Sequence, residues 1–394
     1  MAAEKGSAPR VEASFSFLNF NPLTKKSILS YLLLPFSGLY WIIVFLRNKS
    51  FDLGILREES FNVPLISIGN ITVGGTGKTP HTEYLVNLLK NEFKVAVLSR
   101  GYKRKTKGFI LADEFSDAET IGDEPCQIKR KFPEIIVAVD ENRRDGIRKI
   151  LEYSKDIGVV LLDDAFQHRY VKPGLSVLLI DYNRPISDDY LLPFGRLREP
   201  ASGRKRANMI LVTKSPENLK PIERRIIVRN MRLNNLQYLY FTTVKQKGLL
   251  PVFKNIETGD VSNLPLLKPS VLLVSGIANP QALLQFASTL SREITEMHFP
   301  DHHDFTDMDL SAIRSEFENI PKSEKILITT EKDAVRLQKF SDLPADFKAI
   351  MFYIPIAIEF LNDDEENFNI QILNYVRNNK RNSILHSGKN QVPA

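Results

Sequence analysis

Cysteine is almost absent: among 394 residues only Cys126 carries a thiol. One thiol excludes an internal disulfide framework and fits a reducing compartment. By itself it reads as a small buried side chain and not as a nucleophile. No run of basic residues with interleaved aromatics occurs, which argues against a nucleic-acid partner, and no protein partner is indicated. No repeat of solenoid length is present. Charge of one sign is in small excess: the formal net charge is +6 with a pI near 9.1, which suits an anionic ligand or a membrane surface. What is there is an ordinary globular composition, 43% hydrophobic and 25% charged, in a length that suits about two to three domains.

Charge is missing altogether from Ile28 to Leu46 (ILSYLLLPFSGLYWIIVFL), 19 residues and just long enough to span a bilayer. Pro35 and Gly38 interrupt the middle, and Lys25, Lys26, Arg47 and Lys49 flank both ends, so no charge asymmetry orients a span. A helix partly sunk in the membrane interface fits better, with a buried core helix as the competing reading. A small-residue cleavage site is lacking too, because RNKS follows the run, and a signal peptide is not expected. Residues 1–20 are polar and low in pattern and are expected to be loosely ordered, with 21–62 as a membrane-associated helix and linker.

From Val63 short β-branched runs alternate with helical stretches, the signature of an α/β fold with a mainly parallel sheet. Strands are expected at PLISIG, KVAVLSR, EIIVAV, VVLLDD, SVLLID and MILVTK, and helices at Thr79–Lys90 and Arg143–Ser154. ERRIIVRNMR and YLYFTTV lead into a connector punctuated by Pro and Gly between Gly248 and Pro269, which reads as a domain boundary. A second, smaller α/β lobe follows: SVLLVSG, a helix at Pro280–Leu290, EITEMHF, a helix near Asp309–Glu316, KILITT and AIMFYIPIAI. The expected spans are 63–245 for the first domain, 246–378 for the second lobe and 379–394 for a flexible tail.

The stretch SIGNITVGGTGKTP, Ser67–Pro80, lacks one glycine of the phosphate-loop pattern G-x-x-x-x-G-K-[ST]: Thr72 stands in the first position. Its context is nonetheless the required one, a strand before and a helix after. Gly74, Gly75 and Gly77 permit φ values that other residues resist, so successive N–H groups turn inward on phosphate at a helix N-terminus. Lys78 would bridge the phosphates and Thr79 would ligate Mg²⁺, making the sheet P-loop NTPase-like. The competing reading is a Gly-rich turn with an incidental lysine.

A phosphate loop needs a carboxylate on a neighbouring strand, and IGVVLLDDAFQH supplies Asp163 and Asp164 at a strand's C-terminal edge, where ligands bind in open α/β sheets. One could hold Mg²⁺ directly or through water. Two acids ending a strand are also simply a turn, and His168 beyond them reads as a structural histidine.

GNITVGGTGKTP, LSRGY, GDEP, LLDDAFQH, LLPFGRLREP, FPDHHDF and TTEKDAVR occur together and in this order. As a set they resemble the tetraacyldisaccharide 4'-kinase family, membrane-associated lipid A kinases of Gram-negative bacteria, over roughly residues 28 to 360. The resemblance implies a transferase that moves the γ-phosphate of ATP, with Mg²⁺, to the 4'-hydroxyl of a tetraacyldisaccharide 1-phosphate in lipid A biosynthesis. It implies an anionic glycolipid substrate, and a peripheral or monotopic place on the cytoplasmic face of the bacterial inner membrane. Threonine is usual in that family at the position of Thr72. The ATP-binding loop would comprise Thr72, Val73, Gly74, Gly75, Thr76, Gly77, Lys78 and Thr79, with Thr79, Asp163, Asp164 and Glu199 as metal contacts. The catalytic set would be Asp123 of GDEP, His302 of FPDHHDF, Lys78 and Arg198 of RLREP: a carboxylate oriented by an imidazole would place the sugar hydroxyl, and the arginine would stabilise the transferring phosphoryl group.

Where the family more often has DDGFQH and SRGYGR, this chain has Ala165 and Lys103; glycine at such points suggests positive φ, which alanine tolerates poorly. Arg100, Lys103, Arg104, Lys105 and Lys107 cluster after a strand and would either meet the acceptor's own phosphate or anionic headgroups, or form a solvated loop. TTEKDAVR superficially resembles a guanine-reading motif, but GTP is not inferred from so short a pattern. A membrane-associated P-loop ATPase switch or assembly factor would share the loop, the Asp pair and the apolar segment, but would not need Asp123 and His302.

Overall fold

The computed structural model describes residues 28–253, 256, 268–277, 280–301, 303–321 and 324–388. The polar stretch 1–20, most of the connector before Lys268, His302 and the last residues of the expected tail lie outside the described residues. A 3₁₀ turn over Ile28–Leu33 leads into α1 (Leu34–Asp52). Pro35 lies in the first turn of α1, where no N–H is needed, so it begins the α-helix and does not interrupt it.

The first domain lays down β1 (Leu65–Asn70), α2 (Lys78–Leu89), β2 (Val95–Ser99), β3 (Ile110–Leu111), α3 (Ala118–Ile121), α4 (Asp123–Lys131) and β4 (Ile136–Val139). It continues with α5 (Arg143–Tyr153), β5 (Val159–Asp163), β6 (Leu175–Asp181), β7 (Met209–Thr213), α6 (Pro221–Met231) and β8 (Tyr238–Gln246). Every residue of β1, β2, β5, β6 and β7 is buried. A parallel sheet covered on both faces demands this, and it is why these strands read as unbroken apolar runs.

The second sheet is built from β9 (Leu250–Pro251), β10 (Ser270–Ser275), α7 (Gln281–Leu290), β11 (Ile294–His298), α8 (Asp307–Asn319), β12 (Lys325–Thr330), α9 (Glu331–Leu337), α10 (Ala345–Ala349) and β13 (Met351–Ile354). β14 (Ile356–Phe360) and α11 (Asp364–Gly388) follow. The run AIMFYIPIAI, expected as one strand, is two. Pro355 has no N–H to give a ladder, and the chain changes sheets there: β13 pairs with β12, while β14 pairs antiparallel with β8. The last part of the 246–378 span therefore returns to the first domain. On α11, Phe368, Ile372 and Val376 enter that domain's core, and the Tyr375 hydroxyl donates to the Leu65 carbonyl at 3.0 Å. The helix runs on to Gly388, into the span expected as a flexible tail.

The strand order is β14-β8-β7-β6-β1-β5-β2-β4-β3 in the first sheet and β11-β10-β12-β13-β9 in the second. β1 lies between β5 and β6, parallel to both, so the chain leaves in opposite directions on its two sides. The C-terminal edge of β1 is thus a topological switch point, where open α/β sheets bind ligands.

Candidate active site

Residues 71–80 leave β1 at this switch point. Thr72 forms an antiparallel bridge with Leu197, and the neighbouring backbone pairs Val73 N–H with the Arg196 carbonyl at 2.8 Å and Arg198 N–H with the Ile71 carbonyl at 2.7 Å. A bridged, extended residue has no need of a positive φ, which is why threonine serves where the general pattern has glycine. Gly77 does need one: at φ 85° it caps α2, directly before Lys78. Two residues that the sequence reading passed over hold the loop from the end of β7. The Thr213 hydroxyl donates to the Thr76 carbonyl at 2.9 Å, and Lys214 donates to the Gly75 carbonyl at 2.5 Å and pairs with Asp181 at 2.9 Å. Their signal was the polar TK ending MILVTK, since strand ends line this edge.

β5 ends on the Asp pair, and the two carboxylates differ sharply. Asp163 is buried; it accepts from the Thr82 hydroxyl at 3.1 Å, and its other oxygen has no hydrogen-bond partner. Burial, with Glu124 and Asp164 nearby, pushes its carboxyl up to about 7, against the opposing pull of Lys78. Asp164 has φ 47°, lies 3.7 Å from the Lys78 ammonium, and accepts from Arg198 Nη1 at 3.1 Å. The positive φ anticipated near Ala165 thus falls on Asp164, a residue type that tolerates it, and Lys103 is left-handed at φ 61°. Lys78, Asp163, Asp164 and Arg198 are brought together.

Glu199 is buried but turned elsewhere: both of its oxygens accept from Arg206 Nη2, at 2.9 and 2.8 Å, and Gln167 donates to one of them at 3.2 Å. That pairing fits a structural carboxylate holding the Arg198 loop better than the metal contact expected of it. Among the described residues no group of three or more His, Cys, Asp or Glu side chains is placed to hold a metal ion. The donors that do fit Mg²⁺ are Thr79, Asp163 with its unpartnered oxygen, and Asp164. Mg²⁺ is commonly held by one or two carboxylates, with substrate phosphates and water completing the shell.

Asp123 is the first residue of α4 and faces the second lobe. Arg336 of α9 donates to both of its oxygens, through Nε at 3.1 Å and through Nη2. His302 lies outside the described residues. Beside it, His303 bonds Asp309 at 2.9 Å and stacks on Phe299, and Asp301 contributes to the field on Arg336. Through Asp301 the described part of this loop acts on the guanidinium that holds Asp123.

α1 docks one narrow stripe onto this edge. The Ser37 hydroxyl donates to the Leu191 carbonyl and the Tyr40 hydroxyl to the Arg198 carbonyl, each at 2.8 Å, and Arg47 donates to the Gln167 carbonyl at 2.9 Å. The rest of the helix exposes Leu34, Phe36, Leu39, Ile43 and Leu46. Only 6% of its most apolar window is buried, which excludes the core-helix reading. His168, half-buried, is pushed down to about 4 by burial and by the charges of Arg143, Arg47, Arg144 and Arg100. Arg104 of the basic cluster is tied to Glu141 at 2.6 Å. Cys126 is a buried thiol, pushed up to about 11 by burial.

The family model described as tetraacyldisaccharide-1-P 4'-kinase matches residues 29–377. The chain is 49% identical over 360 residues to a Bacteroides fragilis protein named tetraacyldisaccharide 4'-kinase, covering 91% of this chain and 96% of that one. A protein of the same name from Flavobacterium johnsoniae is 44% identical over 353 residues, covering 90% and 99%. The crystal structure of LpxK from Aquifex aeolicus, titled an "apo" form in complex with ATP, superposes with a TM-score of 0.69 at 29% identity, covering 89% of this chain and 99% of that one.

Proposed function

The chain belongs to the tetraacyldisaccharide-1-P 4'-kinase family and is an ATP-dependent lipid kinase of lipid A biosynthesis, and from that premise we infer how its residues divide the reaction. It transfers the γ-phosphate of ATP to the 4'-hydroxyl of tetraacyldisaccharide 1-phosphate. The backbone N–H groups between Gly74 and Thr79 receive the β- and γ-phosphates at the positive end of α2. Lys78, now leaning on Asp164, is released to them when phosphate oxygens replace that carboxylate as its partner. Arg198 stands beside Asp164 as the charge stabiliser of the moving phosphoryl group.

Thr79, Asp163 and Asp164 would hold Mg²⁺, which when bound supplies charge neutralisation to the phosphates. Asp123 orients the 4'-hydroxyl and takes its proton late in the transfer, with His302 as its expected partner. Arg47, brought from α1 to the Gln167 carbonyl, and exposed Arg100 after β2 would offer the acceptor's 1-phosphate cationic partners. The exposed apolar faces of α1 seat the enzyme in the membrane interface, so that the four acyl chains need not leave the lipid.

The carrying observation is the convergence of Lys78, Asp164 and Arg198 at the switch point of the first sheet. With labelled γ-phosphate and tetraacyldisaccharide 1-phosphate in detergent, label enters the lipid, and Lys78→Ala lowers the rate at least ~100-fold. Label released only as inorganic phosphate by the unmodified protein would defeat the assignment of a lipid hydroxyl as acceptor.

A further inference from the structure

TTEKDAVR contributes a deeply set ion cluster at the junction of the two sheets. Arg336 is 6% exposed and Asp333 is fully buried, so neither is an ordinary surface charge. Asp333 is fastened by the second lobe: it accepts from Gly276 N–H at 2.9 Å, at the end of β10, and from the Thr330 hydroxyl at 2.7 Å. A Cβ on residue 276 would stand 3.0 Å from the Asp333 carboxylate and 3.4 Å from the Pro300 carbonyl, so glycine leaves room for this close approach. Asp333 in turn accepts from Arg336 Nη1 at 3.1 Å. Burial opposes the Arg336 charge, but Asp123, Asp333 and Asp301 outweigh it and hold the guanidinium above its ordinary range.

The remaining face of the guanidinium is spent across the junction on Asp123, one N–H to each oxygen. A two-point fork fixes the plane of a carboxylate as well as its place. Each oxygen keeps lone-pair capacity for another donor, and a sugar hydroxyl is such a donor. Asp123 opens α4 directly behind Gly122, whose φ is 93°. We propose that Arg336 is the positioning residue for Asp123 and that Asp333 positions Arg336, so that a carboxylate–guanidinium–carboxylate relay anchored in the second lobe aims the acceptor-side carboxylate of the first. The proposal rests on the reading of Asp123 as the residue that meets the lipid hydroxyl. Asp123 would then be set for transfer only while the two lobes are packed. Among the described residues, charged groups near the relay include Asp301 from the loop after β11, and Glu124 next to Asp123, paired at 3.1 Å with Lys332.

The test uses the full chain in detergent with ATP and tetraacyldisaccharide 1-phosphate. Arg336→Gln is expected to lower kcat about 100-fold, as misaiming a reacting group does, while KM for ATP stays within about twofold. The acid limb of the kcat profile should move to higher pH by about one unit, because a carboxylate without its cation takes up a proton earlier. Arg336→Lys should not restore kcat, since a point charge cannot hold both oxygens. Wild-type kcat with an unmoved acid limb in Arg336→Gln would overturn the relay. So would a variant that loses ATP-induced thermal stabilisation along with kcat, for the arginine would then merely hold the lobes together. If Arg336→Gln does not fold, near-isosteric Asp333→Asn decides: lowered kcat with a shifted acid limb supports the relay, and an unchanged enzyme defeats it. A fully active Asp123→Asn would remove the reading of Asp123 itself, and the relay with it, whatever Arg336 does.

Discussion

Asp163 is held at the cost of the protein's own stability. Its carboxyl is buried with one unpartnered oxygen and pushed up to about 7, by burial first and then by Glu124 and Asp164. Between the unfolded carboxylate range near pH 4 and the folded value near 7, the folded state binds the proton and the unfolded state does not. Stability therefore falls as pH rises through that window and stays at its lower level above it. Without nucleotide or divalent ions, Asp163→Asn should raise stability at pH 8 by about 1–2 kcal/mol, and the gain should fade toward pH 4. Phosphoryl transfer should be lost at the same time. Denaturant melts at both pH values check this, and a variant less stable than wild type at pH 8 would contradict it. The residue types of this site were legible from the motif string alone. The distinct states of Asp163 and Asp164 were not, because they depend on which of two adjacent side chains turns under the sheet and which turns toward Lys78.

Among the elements, α1 is the one whose contacts its composition described least. Its lack of charge suits a membrane segment, but does not reveal the stripe of Ser37, Tyr40 and Arg47 that grips the loops carrying Leu191, Arg198 and Gln167. Those partners lie more than a hundred residues away in the chain, and no local pattern encodes them. Replacing exposed Leu39, Ile43 and Leu46 with serine spares that stripe. Each apolar side chain withdrawn from the interface removes about 1.5–2 kcal/mol, so the triple variant should lose vesicle binding by roughly three to four orders of magnitude. Its ATP binding should be unchanged. Vesicle flotation beside nucleotide titration checks both, and retained flotation would refute interfacial seating by this face. Deleting 28–46 is a harsher change, since it also removes the Tyr40 donor to Arg198, and should depress transfer even in detergent. The split of AIMFYIPIAI at Pro355 has a similar lesson: the missing N–H was visible, but which sheet each half would join was not.

The two sheets are joined by more than the return of β14 and α11. Lys131 of α4 lies 2.5 Å from Glu83 of α2 and 2.8 Å from Glu331 of α9. Burial and then Glu331 push the Glu83 carboxyl up to about 7, with Lys131 pulling the other way. This is again a raised carboxyl, so its contribution to stability declines as pH rises from about 4.5 to 7. Lys131→Met would leave two carboxylates facing each other with no cation between them. The loss should be about 2 kcal/mol at pH 8, reduced from the fully buried case because Lys131 is partly exposed, and smaller at pH 5 where Glu83 is protonated. Thermal melts at the two pH values measure this; an equal loss at both would show that the pair does not titrate with the junction.

By itself the sequence determined the parallel β–α alternation, the phosphate loop, the Asp pair and the kinase family, because these are written in local periodicity and in short motifs whose chemistry needs fixed neighbours. Only the tertiary structure decided that Glu199 answers to Arg206, that Lys214 and Thr213 brace the loop, and that Arg336 reaches Asp123 from the other lobe. Charges pair with whatever the fold brings within a few ångströms, whether seven residues away, as Arg206 is from Glu199, or 213 away, as Arg336 is from Asp123, and no local pattern says which.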